Sequence, residues 1–267
     1  AYIGGTTITE GTLQLGNGGT GGSLVSDITN NGLLIFNRSD DYLYNNVISG
    51  SGDVIQQGPG RVYFAKNETY AGKTDVNAGA LILTNNVLLT STQPVTVARG
   101  AIFGGYGGVN GDVVNHGLLA VADAAPGYSN APAGNFTVGG NMTNNGEIRM
   151  ESPAPASQLL VKGNYVGNNG LLTLSTVLGG DNSLTDKLVV QGNTSGSTNV
   201  VVNSAGGAGA QTVNGIEIIS VAGQSNGLFT LVNRVVAGPY EYALYQGKPN
   251  SPDGNWYLRS EGPGDVP

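Results

Sequence analysis

Asn31-Gly32-Leu33-Leu34-Ile35-Phe36, Asn145-Gly146-Glu147-Ile148-Arg149-Met150 and Asn169-Gly170-Leu171-Leu172-Thr173-Leu174 are three copies of one short unit. A polar residue and a glycine precede an alternating, apolar-rich run. The unit stands also at Glu10-Gly11-Thr12-Leu13-Gln14-Leu15, Ala78-Gly79-Ala80-Leu81-Ile82-Leu83, Arg99-Gly100-Ala101-Ile102-Phe103 and His116-Gly117-Leu118-Leu119-Ala120-Val121. Its turn glycines are therefore Gly11, Gly32, Gly79, Gly100, Gly117, Gly146 and Gly170. The long gap after Gly32 holds further strand-turn units at Ser51-Gly52-Asp53-Val54-Ile55 and Pro59-Gly60-Arg61-Val62-Tyr63-Phe64. Alternation with period two signals strands, and apolar residues at helical spacing are missing. A strand-turn unit recurring about every 20 residues, with variable insertions, marks a solenoid. One unit cannot bury its own apolar face; stacked units bury a continuous core and push insertions outward. The expected fold is all-β, a parallel β-helix. About twelve coils spaced about 4.8 Å apart would make a rod of about 55–60 Å. The alternative is an antiparallel sandwich in which the Asn-Gly steps are hairpin turns.

Local chemistry agrees with sharp corners. Asparagine tolerates the left-handed region and glycine meets no penalty there, so the glycines are expected at positive φ. The pairs Asn30-Asn31, Asn85-Asn86, Asn144-Asn145 and Asn168-Asn169 are expected to stack between coils as amide ladders.

Composition narrows the function. The 267 residues include 45 glycines, yet Val, Ile, Leu and Thr are too frequent for a disordered chain. Glycine does not recur every third residue, which excludes collagen. There is no cysteine, so neither a disulfide framework nor a thiolate metal site exists. The net charge is −7 and no Lys/Arg cluster occurs, which argues against nucleic acid and anionic membrane as partners. No apolar run approaches the ~20 residues of a membrane-spanning helix. No leader peptide opens the chain, and it starts in mid-repeat, so a natural start upstream is expected.

Residues 50–84 read Gly-Ser-Gly-Asp-Val-Ile-Gln-Gln-Gly-Pro-Gly-Arg-Val-Tyr-Phe-Ala-Lys-Asn-Glu-Thr-Tyr-Ala-Gly-Lys-Thr-Asp-Val-Asn-Ala-Gly-Ala-Leu-Ile-Leu-Thr. This closely resembles the passenger-associated transport repeat of autotransporters, at Gly50, Gly52, Gly58, Gly60, Asn67, Thr69, Tyr70, Gly72, Thr74, Val76, Gly79 and Leu81. Residues 184–260 resemble the pertactin-like autochaperone region. Asp186 to Asn193 opens it; Gly215-Ile216-Glu217-Ile218-Ile219, Phe229-Thr230-Leu231, Arg234 to Tyr245 and Asn255 to Ser260 follow. Pro239 departs from the usual small residue there and suits a turn before an edge strand.

The resemblance implies a right-handed parallel β-helix with a C-terminal β-hairpin or sandwich-like cap, displayed on or released from a Gram-negative outer surface. It divides the chain into a stalk over 1–183, an autochaperone cap over 184–260 and a linker over 261–267 leading towards a β-barrel translocator, the passenger's partner during secretion. The cap would fold first and template the coils behind it. Physics supports such a cap, because the last coil otherwise presents an unpaired edge. The cap candidates are Tyr240, Tyr242, Leu244, Tyr245, Trp256, Tyr257 and Leu258, whose aromatic rings can bury a large area over the open end.

No catalytic constellation is expected. Gly223-Gln224-Ser225-Asn226-Gly227 fits a nucleophile elbow, but no helix follows Ser225 and the single histidine, His116, lies far upstream at a corner. Gly16-Asn17-Gly18-Gly19-Thr20-Gly21 lacks the helix that phosphate binding uses. Asp40-Asp41 is a weak calcium candidate. No cofactor or metal is expected. Three functions compete: an adhesive passenger pairing with identical passengers on neighbouring cells, the stalk of an upstream enzyme (a protease or esterase), and a passenger that binds a host surface protein through the loop Ala122 to Phe136. For the first, many weak contacts would add along the rod.

Overall fold

A computed structural model describes residues 4–262. Twenty-eight strands and one 3-10 turn, Ala122–Ala124, make up its regular structure. The strands wind as a three-walled parallel β-helix. On the first wall, Thr12–Leu15, Leu33–Phe36, Asp53–Gln56, Thr74–Val76, Val95–Val97, Val113–Asn115 and Met142–Asn144 lie side by side in that order. On the second, Tyr42–Tyr44, Arg61–Phe64, Ala80–Leu83, Ile102–Gly105, Leu118–Val121 and Glu147–Arg149 do the same. The long strands Tyr165–Thr176 and Thr194–Ser204 run across both walls and join them. The third wall passes through Ile28–Asn30 and Ile48–Ser49, narrows to one bridge from Glu68 to Leu89, and widens again from Asn135–Val138 to Ile216–Val221.

Alternation explains the interior. Leu34, Val54, Thr74, Val95, Val113, Met142 and Tyr165 form one inward column, each in register with the next. All are buried. Phe36, Tyr44 and Phe64 make an aromatic layer with centroids 5.8–6.1 Å apart. This edge-to-face geometry adds to area burial.

The first wall holds nine parallel rungs between Thr12–Leu15 and Thr194–Ser204, fewer than the twelve coils expected. The coils are not of constant length. Cross-coil hydrogen bonds join residues 20 apart in the N-terminal half, as from Ser51 to Asn31 and from Lys73 to Asp53. Farther along they join residues 29, 23, 29 and 31 apart. The extra residues leave the winding as loops, the first of them after Val121.

The corners differ from expectation in one respect. Gly79 and Gly100 have positive φ (53° and 84°), but Gly32, Gly117, Gly146 and Gly170 do not. The requirement at those four is space. A Cβ on Gly32 would fall on the Gly11 carbonyl oxygen, one on Gly117 on that of Ala98, and one on Gly146 on that of Gly117. At Gly170 it would meet the Asn144 carbonyl. Coils stacked at strand spacing leave no room for a side chain at a corner that turns inward. The left-handed conformation falls instead on Asn85, Asn86 and Asn169.

Two kinds of amide tie the corners together. Asn30, Asn115 and Asn144 are wholly buried. Each accepts from the glycine N–H two residues on, at 3.1–3.2 Å, and donates to a backbone carbonyl of the next coil. Asn115 also donates to Asn144 Oδ1 at 3.2 Å. Outside, a ladder climbs five coils: Asp112, Asn141, Asn164 and Asn193 each accept from the backbone N–H of the aligned residue above, the last being Gln224, at 2.7–2.9 Å. Asn85 and Asn86 shape a turn and belong to neither ladder.

Candidate functional site

The motif at 50–84 is built into the wall. Asn67 Oδ1 accepts from Leu88 N–H at 2.9 Å. Tyr70 is buried, its hydroxyl 2.6 Å from Thr74 Oγ1. A Cβ on Gly72 would land on the Gly52 carbonyl. Between Asn67 and Tyr70 lies Glu68, fully buried where the third wall thins to its single bridge. Its Oε2 accepts from Ile48 N–H at 2.5 Å, and its Oε1 has no partner. Burial pushes this carboxyl up to about 9, against the opposing effect of that backbone bond, so it is protonated at neutral pH.

At the other end the winding changes sense. Ile216–Val221 takes Trp256–Glu261 antiparallel on its open edge, and Tyr240–Gln246 and Val235–Ala237 follow. This small antiparallel sheet closes the third wall. Leu258 is fully buried, opposite both Ile216 and Leu244. Trp256 packs edge-on against Phe229 at 5.5 Å, and Phe229 stacks on Tyr165 at 5.8 Å, so the cap joins the last inward column of the helix. The buried Tyr242 donates to Gly179 O at 2.7 Å and accepts from Ala210 N–H. Tyr257 is buried and its hydroxyl donates to Asp253 at 2.7 Å. Tyr240 and Leu244 are half-buried. Tyr245 faces outward beneath the Arg259 guanidinium, 4.0 Å from the ring centroid.

Several residues at the cap end escaped sequence reasoning. Asn233 imitates a strand end: it accepts from Val202 N–H at 3.0 Å and donates to Val202 O at 2.9 Å. Asn255 Oδ1 accepts from Val221 N–H at 2.8 Å. The Asp181 carboxylate accepts three backbone N–H groups, from Val213, Asn214 and Gly215, at 2.9–3.1 Å. Partial burial opposes its charge, and those three bonds outweigh it, so its pKa falls below the ordinary value. In a chain rich in Asn and Asp, no local signal separates these edge-capping side chains from surface ones.

The chemical motifs meet other partners. Ser225 Oγ donates to Gly254 O at 2.6 Å, while His116 Nδ1 pairs with Asn145 at 3.0 Å on a distant coil. Asp40 is bound bidentately by Arg38 at 3.0 Å, which holds its carboxyl below the usual value. Asp41 faces Arg61 at 3.9 Å. No group of three or more metal-ligating side chains occurs among the described residues, and no helix among them is long and apolar enough to cross a membrane. The loop after Val121 is not a free arm. Tyr63 and Tyr106 donate to Pro126 O and Pro132 O at 3.3 and 2.6 Å, and Tyr128 sits edge-on to both rings.

The first wall presents a continuous outward column. Its outward column reads Ile35, Ile55, Asp75, Thr96, Val114, Thr143, Val166 and Ser195, each in register with the next. The column holds β-branched and small side chains with one carboxylate and no cation.

Comparison with known proteins gives the family. The model of Autochaperone Domain Type 1 matches residues 137–244, and that of the Passenger-associated-transport-repeat matches 1–15 and 54–83. The Adhesin BmaC autotransporter of Brucella suis is 35% identical over 300 residues, covering 97% of this chain and 8% of that protein. The uncharacterized protein YuaQ of Escherichia coli is 35% identical over 240 residues, covering 88% of this chain and 15% of its own length. Autotransporter adhesin AIDA-I of Escherichia coli is 46% identical over 69 residues, 26% of this chain and 5% of that one. This chain thus spans a small part of the relatives it matches. A parallel β-helix carrying these two motifs, alike in sequence to named autotransporters, belongs to the autotransporter passenger domains, which Gram-negative bacteria display at or release from the cell surface.

Proposed function

We propose that this chain acts in adhesion as the membrane-proximal part of its passenger, joining cells to one another by self-association, and that its C-terminal segment nucleates passenger folding during secretion. The observation that supports adhesion best is the flat outward column of the first wall. An identical rod can lie along it and gain many weak contacts, none of them opposed by facing cations. Two of the relatives named above are adhesins, which favours this reading over an enzyme stalk or a host-protein receptor. The chain itself has no catalytic role in this proposal. Its partners are the protein's own β-barrel during export and identical passengers afterwards.

The division into a stalk over 1–183 and a folding nucleus over 184–260 belongs to the same proposal. The antiparallel sheet closing Ile216–Val221 supports it, because it pairs the terminal edge without waiting for another coil. Glu261 ends the last strand and Gly262 follows it; the rest of the expected linker, 263–267, lies outside the described residues.

Settling of bacteria that display the parent protein tests the adhesive part. Display is expected to clump cells, and purified passenger to block clumping. Cells that stay dispersed at the same display level would remove self-association from the account.

A further inference from the structure

The second wall carries a feature that neither self-association nor the cap explains. Its outer face has two columns. Tyr63, Ile82, Gly104 and Ala120 stand in register in one, and Arg61, Ala80, Ile102 and Leu118 in the other. The loop after Val121 folds over the first column, where Ala125 and Tyr128 pack against Ile82 and Tyr63. It leaves Arg61, Ile102 and Leu118 of the second column open as the floor of a trough, while Ala80 is buried.

That trough has a volume of about 650 Å³ and continues past Ile102 and Pro126 into a second depression of about 390 Å³. Its floor spans four rungs, about 15 Å at strand spacing. Ile102 and Leu118 are half-buried and give it an apolar surface. Arginines stand along it: Arg61 at one end, Arg99 on the rim and Arg149 towards the other end. These are three of the six arginines in a chain of net charge −7. Arg99 is exposed and has no partner among the described residues. Arg61 has only Asp41, at 3.9 Å. Arg149 is held in place by Glu147 at 2.7 and 3.1 Å, which fixes a guanidinium edge beside the trough. Prolines, alanines and glycines make up part of the remaining lining, and its other polar groups are the amides and hydroxyl of Asn77, Asn130 and Ser129 and the carboxylates of Asp123 and Glu151.

We propose that this trough binds a linear acidic glycan, a polysaccharide chain bearing uronate carboxylates. Two features select that ligand. Guanidinium groups at intervals match carboxylates at intervals, each pair capable of two parallel hydrogen bonds. The floor strands are paired on both edges, so an extended peptide finds no backbone to join and would leave its own amides unmatched. A hydroxyl-rich chain needs no strand edge. Its hydroxyls meet the mixed donors and acceptors of the rim, and its C–H faces cover Ile102 and Leu118.

Titration of the purified 267-residue chain tests this with an oligogalacturonate long enough to cover the four rungs. Its methyl-esterified form and a polyglutamate peptide serve as comparisons. The oligogalacturonate is expected to bind, more weakly as salt rises. The double variant Arg61→Gln, Arg99→Gln is expected to lose at least tenfold in affinity with an unchanged melting transition, because both side chains are exposed. Arg234→Gln, on the cap, is expected to bind as the parent does. Absence of binding, equal binding of the esterified chain, or equal weakening by Arg234→Gln would overturn the proposal. Tighter binding of the polyglutamate would also overturn it and assign the trough to acidic peptides.

Discussion

Glu68 is the residue on which solution conditions act most strongly. Its folded carboxyl holds a proton up to about pH 9, whereas the ordinary value is 4.5. The folded state therefore binds that proton more tightly than the unfolded chain. The contribution is fully present below about pH 4.5 and is lost as pH rises towards 9, at up to about 1.4 kcal/mol per pH unit. Urea unfolding at pH 5, 7 and 8.5 is expected to show this decline, and Glu68→Gln to flatten it. A parent protein equally stable at all three would mean that the carboxyl is ionised and solvated. The corner glycines make a second prediction at this scale. Gly146→Ala presses a Cβ onto the Gly117 backbone and is expected to cost about 1–3 kcal/mol. At Gly100 a Cβ meets nothing within 4 Å, so Ala there is expected to cost only the left-handed penalty of about 1–2 kcal/mol. The sequence announces both glycines identically. Which one is conformational and which is steric depends on what lies one coil away, and no local pattern carries that.

At the scale of elements, the cap is organised around burial on its inner face. Trp256→Ala removes the ring that meets Phe229 at the end of the interior and is expected to cost about 3–5 kcal/mol in urea unfolding. Tyr245→Ala, on the outer face, is expected to lose no more than about 1 kcal/mol from its contact with Arg259. Equal losses would place the sheet off the end of the core. The walls themselves were legible. Leu33–Phe36, Ala80–Leu83 and Leu118–Val121 all lie where alternation places strands. The aromatics near the C-terminus were visible as a group, but their faces were not: Tyr242 turns inward, whereas Tyr245 and Tyr257 stand opposite each other on the outer face, where Tyr257 is buried against Glu217 and Asp253. The loop after Val121 reads as a free, Ala- and Pro-rich insertion. Its anchors, Tyr63 and Tyr106, come from other coils, so its fixed position and the trough beside it are products of stacking.

For the whole molecule, the fold implies an order of assembly. Parallel pairing across coils joins residues 16 to 31 apart, as from Ile102 to Leu118 and from Leu188 to Ile219, and that loop must close before any contact offsets it, which makes starting slow and extending fast. The antiparallel sheet of Tyr240–Gln246 and Trp256–Glu261 closes a shorter loop, from Gln246 to Trp256, and makes six residue pairs directly. It is the nucleus in the proposed account, in which each coil then has a finished edge to join. Export brings the same consequence, since a segment next to the β-barrel that folds first would hold the passenger outside and draw the rest into register. Pulse-labelled hydrogen exchange during refolding tests this most directly. Amide protection is expected to appear first across 216–261 and then to spread coil by coil towards Thr12. Protection that rises first in the N-terminal coils, or everywhere at once, would contradict it.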